Sequence, residues 1–313
     1  MAQQTVTGNY AGEVLDTIKA KLSTGNEVVS NGLANLIPEI RYKTFIPRIK
    51  LDNLIGARAA TPSTSLGTSA FDDKEIAVAD FMLYHEFNPR NFESWWRPYQ
   101  PTGPLVFREL PTQVQTAFLM EIAKYAGKTV SDIILSGDTA GGTAPLNILD
   151  GFVKTLEGDA DVIDVATPVA LTTGNIQAKM EETYAASPVA VRRNMNYKIL
   201  VSPATAEIYR NAVHAQTNKG NDFTQDAPLT YKGKQMVELV GMPDDTIVAS
   251  HFSAGIDSNL HVAMDWDQDS LAMDESVLLV DRLANNSELY FVRGDFKLGV
   301  GVAFGEEVVL YKA

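Results

Sequence analysis

Four short segments of the sequence carry residue types that could do chemistry, and each lacks a part that its chemistry needs. Gly137-Asp138-Thr139-Ala140-Gly141-Gly142-Thr143 has the glycine spacing of a phosphate-cradling loop. Such a loop follows a strand and places a lysine directly after the second glycine, to reach the phosphates. Here Thr143 holds that position and helical spacing precedes the segment, so it reads as a connection. His251-Phe252-Ser253-Ala254-Gly255 resembles a nucleophile elbow without its first glycine. A helix should follow an elbow, whereas Leu260–Asp265 reads as a strand, and His261 is too close to complete a triad in the usual arrangement. Asp265, Asp267 and Asp269 imitate the opening of a calcium loop. That loop needs glycine at its sixth position and a bidentate glutamate at its twelfth, where this chain has Ser270 and Ser276. Arg293-Gly294-Asp295 matches a tripeptide of adhesion ligands, and a turn before the final strand accounts for it.

The other reactive residue types are equally uninformative. There is no cysteine, which removes disulfides, thiolate metal sites and thiol nucleophiles. The four histidines (His85, His214, His251, His261) form no pair at metal-ligand spacing. Paired carboxylates such as Glu181-Glu182 and Asp244-Asp245 are expected in any acidic chain, and nothing around them would separate two pKa values. No aromatic series interleaves with a basic cluster, as base stacking on a nucleic acid requires. The sequence therefore predicts no catalytic residue, no cofactor and no metal.

The elements that would position any site are more telling. Residues 1–43 read as an arm. A short amphipathic helix is predicted over Tyr10–Leu22, followed by a polar stretch (Ser23–Gly32) and an apolar run, Leu33–Ile37, that ends at Pro38. Residues 44–87 read as a hairpin. Its first arm is Phe45–Leu51, its tip Gly56–Ser69 is made mostly of small residues, and its second arm is Glu75–Tyr84. At ~3.3 Å per residue, arms of about fifteen residues would reach roughly 50 Å, beyond the ~20 Å of an ordinary strand. An isolated ribbon of that length is unstable and implies docking on a neighbour.

A Trp- and Pro-containing connection (Phe92–Tyr99) leads to Pro111, at the first turn of the strongest helix in the sequence. Val114, Phe118, Ile122 and Tyr125 follow at helical spacing, with a pause expected at Gly127 and a loop from Ser136 to Gly142. Beyond it a helix is predicted over Gly174–Ala186 and a strand over Tyr197–Val201. Ser202-Pro203 then supplies an N-cap and a first-turn proline for the next helix. Further strands are predicted at Gln235–Val240, Thr246–Ser250, Leu260–Asp265 and Val277–Leu283. The clearest pattern comes last. Phe296, Leu298, Val300, Val302 and Phe304 alternate with Lys297, Gly299, Gly301 and Ala303, giving one heavy face and one nearly bare. Bare strand positions suit the close approach of another backbone.

The chain has 313 residues, 45% hydrophobic and 21% charged, with a formal net charge of −13. That is the composition of a soluble globular protein, and the charge disfavours bulk attraction to DNA or anionic lipid. No apolar run approaches a membrane span, and no signal peptide is evident at the N-terminus. The charge is unevenly spread. Arg41, Lys43, Arg48, Lys50 and Arg58 cluster with one acid, Asp52, whereas residues 244–281 hold nine acids and no lysine or arginine. Such blocks could steer one copy onto another or be solvated faces. On the first reading, Arg41, Lys43, Arg48, Lys50 and Arg58 are the candidate inter-subunit contacts.

An arm, a long hairpin, one long helix, then a mixed α/β region with an alternating final strand is an unusual order of elements. It resembles the tailed-bacteriophage major capsid proteins of the Hong Kong 97 fold. The hairpin, Thr44 to Tyr84, looks like that family's E-loop, and Leu110–Ser136 looks like its spine helix. Lys198-Ile199-Leu200-Val201-Ser202-Pro203-Ala204-Thr205-Ala206 is similar to its axial-domain strand-to-helix passage. Gly241-Met242-Pro243-Asp244-Asp245-Thr246-Ile247-Val248 is similar to a later turn and strand of that domain.

The resemblance implies an α+β fold divided into an arm (1–43), an E-loop hairpin (44–87) and a peripheral domain with its spine helix (88–141). An axial domain (142–255), a return to the peripheral domain (256–292) and a final axial-domain strand (293–313) would follow. It implies a non-enzymatic subunit whose pentamers and hexamers tile an icosahedral head around double-stranded DNA, bound without sequence specificity. Expected partners are copies of itself, a portal, a separate scaffolding protein and possibly a decoration protein, with no membrane. The virion would be its location, after assembly in the host cytoplasm. Some members join subunits through Lys–Asn bonds. Lys50 and Lys74 lie on or near the hairpin, but no matching Asn and Glu can be identified, so no crosslink residue carries over. An encapsulin-type compartment, with the same fold around enzyme cargo, is the alternative.

Overall fold

The computed structural model of the chain describes residues 8–9, 27–58, 67–88, 112–215, 229–265, 279–283 and 289–313. The helix expected over Tyr10–Leu22, the Phe92–Tyr99 connection, Pro111 and most of the hairpin tip lie outside these residues, as do Asp267 and Asp269.

In chain order the elements are β1 (Gly8–Asn9), α1 (Glu27–Ser30), β2 (Asn35–Ile37), β3 (Lys43–Asp52), β4 (Thr68–Ala77), β5 (Ala79–Phe87) and α2 (Thr112–Ser136). They continue with α3 (Phe152–Gly158), β6 (Ile163–Asp164), α4 (Ile176–Ala186), α5 (Val189–Arg193), β7 (Tyr197–Val201) and α6 (Pro203–His214). The remainder is β8 (Thr230–Tyr231), β9 (Lys234–Glu238), β10 (Thr246–His251), β11 (Leu260–Met264), β12 (Leu279–Arg282), β13 (Tyr290–Val302) and β14 (Val309–Lys312).

One six-stranded sheet has the order β6-β14-β10-β7-β9-β8. Its central strands are apolar on both faces because both are covered. Leu200, Val248 and Leu310 point to one side, where α2 and α3 supply Ile133, Ile134, Phe152 and Leu156. Ile199, Val201, Ile247, Ala249 and Tyr311 point to the other, onto α4 and α6 with Ile176, Met180, Ala206 and Tyr209. α6 starts where the sequence places it: Ser202 Oγ accepts from the Thr205 backbone N–H at 3.2 Å, and Pro203 opens the helix.

The second sheet has the order β1-β12-β13-β11-β2, with β5 on the free side of β13. Leu260, Val262, Leu298, Val300 and Val302 of β11 and β13 enter the same core as α2 and α3. Hydrophobic packing thus runs unbroken from one sheet to the other. α2 passes through Gly127 without the expected pause.

Two further expectations are corrected. The second hairpin arm is not one run: β4 ends at Ala77 and pairs with β3, whereas β5 begins at Ala79 and pairs with β13. The inward residue is even-numbered at Ile76 and odd-numbered at Phe81, and Val78 between them lies outside both strands. The hairpin proper therefore has ten-residue arms, about 33 Å long at ~3.3 Å per residue rather than roughly 50 Å. Arg293-Gly294-Asp295 is likewise not a turn. It lies within β13, opposite Tyr84, Leu83 and Met82 of β5, and Arg293 and Asp295 form an i,i+2 ion pair at 3.0 Å. β13 runs on to Val302, and β14 returns to the first sheet between β6 and β10.

Candidate assembly interface

The hairpin β3–β4 carries unlike residues on its two faces. Its register pairs Lys43 with Ala77, Ile49 with Phe71 and Asp52 with Thr68. Because side chains alternate, Thr44, Ile46, Arg48 and Lys50 share one face with Ile76, Lys74 and Asp72. That face lies on the chain's own body. Ile76 is fully buried above the bare side of β13, where a Cβ at Gly301 would stand 2.4 Å from Ile76 Cγ1. A Cβ at Gly299 would stand 2.6 Å from the Ala77 carbonyl oxygen. The small residues read from the sequence as inviting another backbone receive the base of the hairpin.

Charge pairs hold the rest of this face. Buried Arg48 donates through Nη1 to the Ala303 carbonyl at 3.1 Å and through Nη2 to Asp72, its cross-strand neighbour. The Arg48 guanidinium holds the Asp72 carboxyl below its ordinary value. Lys50 donates to Glu306 at 3.0 Å, and Lys74 to the nearly buried Asp159 at 2.6 Å. Burial pushes the Asp159 carboxyl up, but hydrogen bonds from Lys74 and the Asp161 amide outweigh it and leave the pKa lowered. On the outward face, Lys43 pairs with Glu75 at 3.2 Å across the two hairpin strands. Of the five candidate contact residues, Lys43, Arg48 and Lys50 thus have side-chain partners inside the chain. Arg41 is engaged as well, its carbonyl accepting from Lys297 at 2.9 Å, and Arg58 is exposed.

Beyond the Lys43–Glu75 pair and Asp73, the opposite face, which points away from the body, is apolar. Phe45, Ile49, Leu51 and Phe71 are 50%, 58%, 59% and 76% exposed, with Leu54 and Ile55 continuing the patch towards the tip. A strand pair serving only its own chain would put such residues against the body and its charges outside. The sequence shows the bulky residues of β3. It does not show which face they occupy, because Arg48 at an inward position looks like a surface residue until its carbonyl partner is known. A cavity of about 550 Å³ between β5, β13 and α2, lined by Phe81, Met82, Tyr84, Ile122, Tyr125 and Ile148, forms a second apolar surface.

The motif near-matches have ordinary structural explanations. Asp138 accepts hydrogen bonds from the Ala140 and Gly141 amides at 2.9 and 3.2 Å, so the N–H groups a phosphate would need are already taken. Those amides, chiefly that of Ala140, lower the Asp138 pKa. His251 ends β10, Ser253 lies on the turn that leads to β11, and Asp257 is between their side chains. Ser253 Oγ donates to Asp257 at 2.7 Å, and His251 Nε2 is 3.3 Å from the other carboxylate oxygen. A nucleophilic triad needs the histidine in the middle, so this order leaves the hydroxyl without its base. Asp265 accepts from the Lys297 amide at 3.1 Å, and burial raises its pKa.

No family model and no curated protein matches the chain. Solved structures do. The capsid of an empty GTA particle, computed with C5 symmetry, aligns at TM-score 0.61 and 13% identity over 100% of this chain and 94% of that one. The satellite phage P4 procapsid including size determination (Sid) protein gives 0.57 at 11% identity over 95% and 98%. The cyanophage A-1(L) capsid asymmetric unit gives 0.54 at 14% over 92% of each chain. This chain has the phage capsid fold. The α+β class expected from the order of its elements is the one observed, and the match runs the whole length of the chain.

Proposed function

We propose that this chain is a major capsid protein whose pentamers and hexamers form an icosahedral head around double-stranded DNA. The observation that carries the proposal is the hairpin, which is held to its own body by Ile76 and a charge-paired face and offers a largely apolar face outward. In a shell, that outer face lies on a neighbouring copy, and Phe45, Ile49, Leu51 and Phe71 leave water there. Exposed apolar patches of this kind mark protein–protein contacts. Arg41 and Arg58 flank the patch along the sequence and are its charged rim, where ion pairs set orientation more than strength. The role is structural rather than enzymatic.

A portal and a separate scaffolding protein complete the partners, with the virion as location after assembly in the host cytoplasm. DNA is enclosed without sequence-specific contact, in keeping with the charge of −13. The similar structures above are phage and GTA capsids, which favours a DNA-filled head over an enzyme-filled compartment.

Expression of the full chain with and without the neighbouring genes of its source, followed by sedimentation and electron microscopy, tests the reading. Capsomers or closed shells are expected. A chain that stays monomeric under every condition would overturn it.

A further inference from the structure

One buried titratable group takes no part in the hairpin or its contacts. His261, on β11, is 2% exposed. It stands opposite Asn35 of β2 on one side and Gly301 of β13 on the other, on the sheet face where the hairpin base is seated. Its Nδ1 lies 3.0 Å from the Asn35 side-chain nitrogen, and its Nε2 is buried with no hydrogen-bond partner among the described residues. An amide nitrogen can only donate, so Nδ1 must accept and the ring must be neutral with its proton on Nε2.

Charged groups on the surrounding elements are engaged elsewhere. Glu27 of α1 accepts from the Val240 amide, Lys198 of β7 donates to the Gly32 carbonyl, and Arg48 of the hairpin pairs with Asp72. Asp257 takes Ser253 and His251, Glu307 takes Asn259, and Asp265 takes the Lys297 amide. None of them is bonded to the His261 ring to stabilise a charge on it.

We propose that His261 is a proton-operated latch for the N-terminal strand β2. The neutral ring accepts the Asn35 hydrogen bond that helps hold this three-residue strand to the sheet edge. A protonated ring would set a donor against a donor and bury a charge towards which only the Ser258 backbone is favourably placed. Freeing β2 lets the ring ionise in water, so acid favours the released state. Burial depresses the ring's pKa below its ordinary value of 6.5, and the Ser258 backbone offsets only part of this. For a depressed histidine the sign is fixed. The latch is fully closed above 6.5 and weakens as pH falls from there towards the lowered value. β2 leads directly into the hairpin, so its release loosens the hairpin's entry. The latch belongs to the single chain and does not depend on assembly.

Hydrogen exchange of the unassembled full chain at about pH 7.5 and about pH 5, corrected for intrinsic rates, reads the latch. Protection of residues 35–40 should fall several-fold in acid relative to β7 and β10. His261→Gln, which cannot take up the proton, should abolish the difference. Asn35→Asp, which gives the charged ring an acceptor, should hold or tighten β2 in acid, and either variant alone suffices should the other fail to fold. Unchanged protection in the wild type, as would follow if Asn35 turned its oxygen onto the charged ring, would overturn the proposal. So would an equal loss in wild type and His261→Gln.

Discussion

Gly299 and Gly301 carry the seat of the hairpin in different ways, and substitution should separate them. A methyl group at Gly299 would meet the Ala77 carbonyl oxygen at 2.6 Å, which is backbone and cannot rotate aside. At Gly301 the nearest atoms are Cγ1 and Cδ1 of Ile76, the outer part of a side chain with a choice of rotamers. Ordinarily alanine would be the better strand residue. Gly299→Ala should therefore destabilise the unassembled chain by about 1–3 kcal/mol, the range for overpacking, and Gly301→Ala by less. Chemical denaturation measures both, and a stabilised Gly299→Ala would mean that the hairpin base does not sit on β13.

The hairpin, as an element, predicts a dissociation of stability from assembly. Arg48→Ala removes a buried donor from the Ala303 carbonyl and should cost about 1–3 kcal/mol in the isolated chain. Phe71→Ser, on the exposed face, should change that stability by no more than roughly 0.5 kcal/mol. In a shell the order reverses, because burying a phenylalanine contributes about 1.5–3 kcal/mol at every contact. Melting curves and particle yield for the two variants check this, and normal shells from a combined Phe45→Ser, Ile49→Ser and Phe71→Ser chain would rule the outer face out as the contact. Much of this element was legible beforehand. The alternation from Phe296 to Phe304 showed a bare strand face, and β3 showed an exposed ribbon. The break at Val78 was legible only as a change of parity between Ile76 and Phe81, which a run of apolar residues conceals. The function of Arg48 was hidden because a buried guanidinium is defined by its distant acceptor, Ala303, and a sequence does not pair residues 255 positions apart.

At the scale of the molecule, each copy brings a charge of −13 to its neighbours, and DNA inside a shell would be negative as well. Uneven charge in the sequence suggests attraction between a basic and an acidic segment, so that salt would weaken association. The structure gives a different balance. Lys43, Arg48 and Lys50 are neutralised within the chain by Glu75, Asp72 and Glu306, so on the proposed assembly the copies would repel one another and the apolar patch would have to overcome it. Raising salt shortens the reach of that repulsion from about 10 Å at 0.1 M to about 3 Å at 1 M, and does not weaken apolar burial. The rate and yield of shells, followed by light scattering, should therefore rise between low and high salt. Charge reversal at Arg41 and Arg58 should alter the geometry or fidelity of the shells more than their yield, as expected for rim charges. If yield instead falls steeply with salt and with those reversals, opposite charges rather than the outer face of the hairpin hold the copies together.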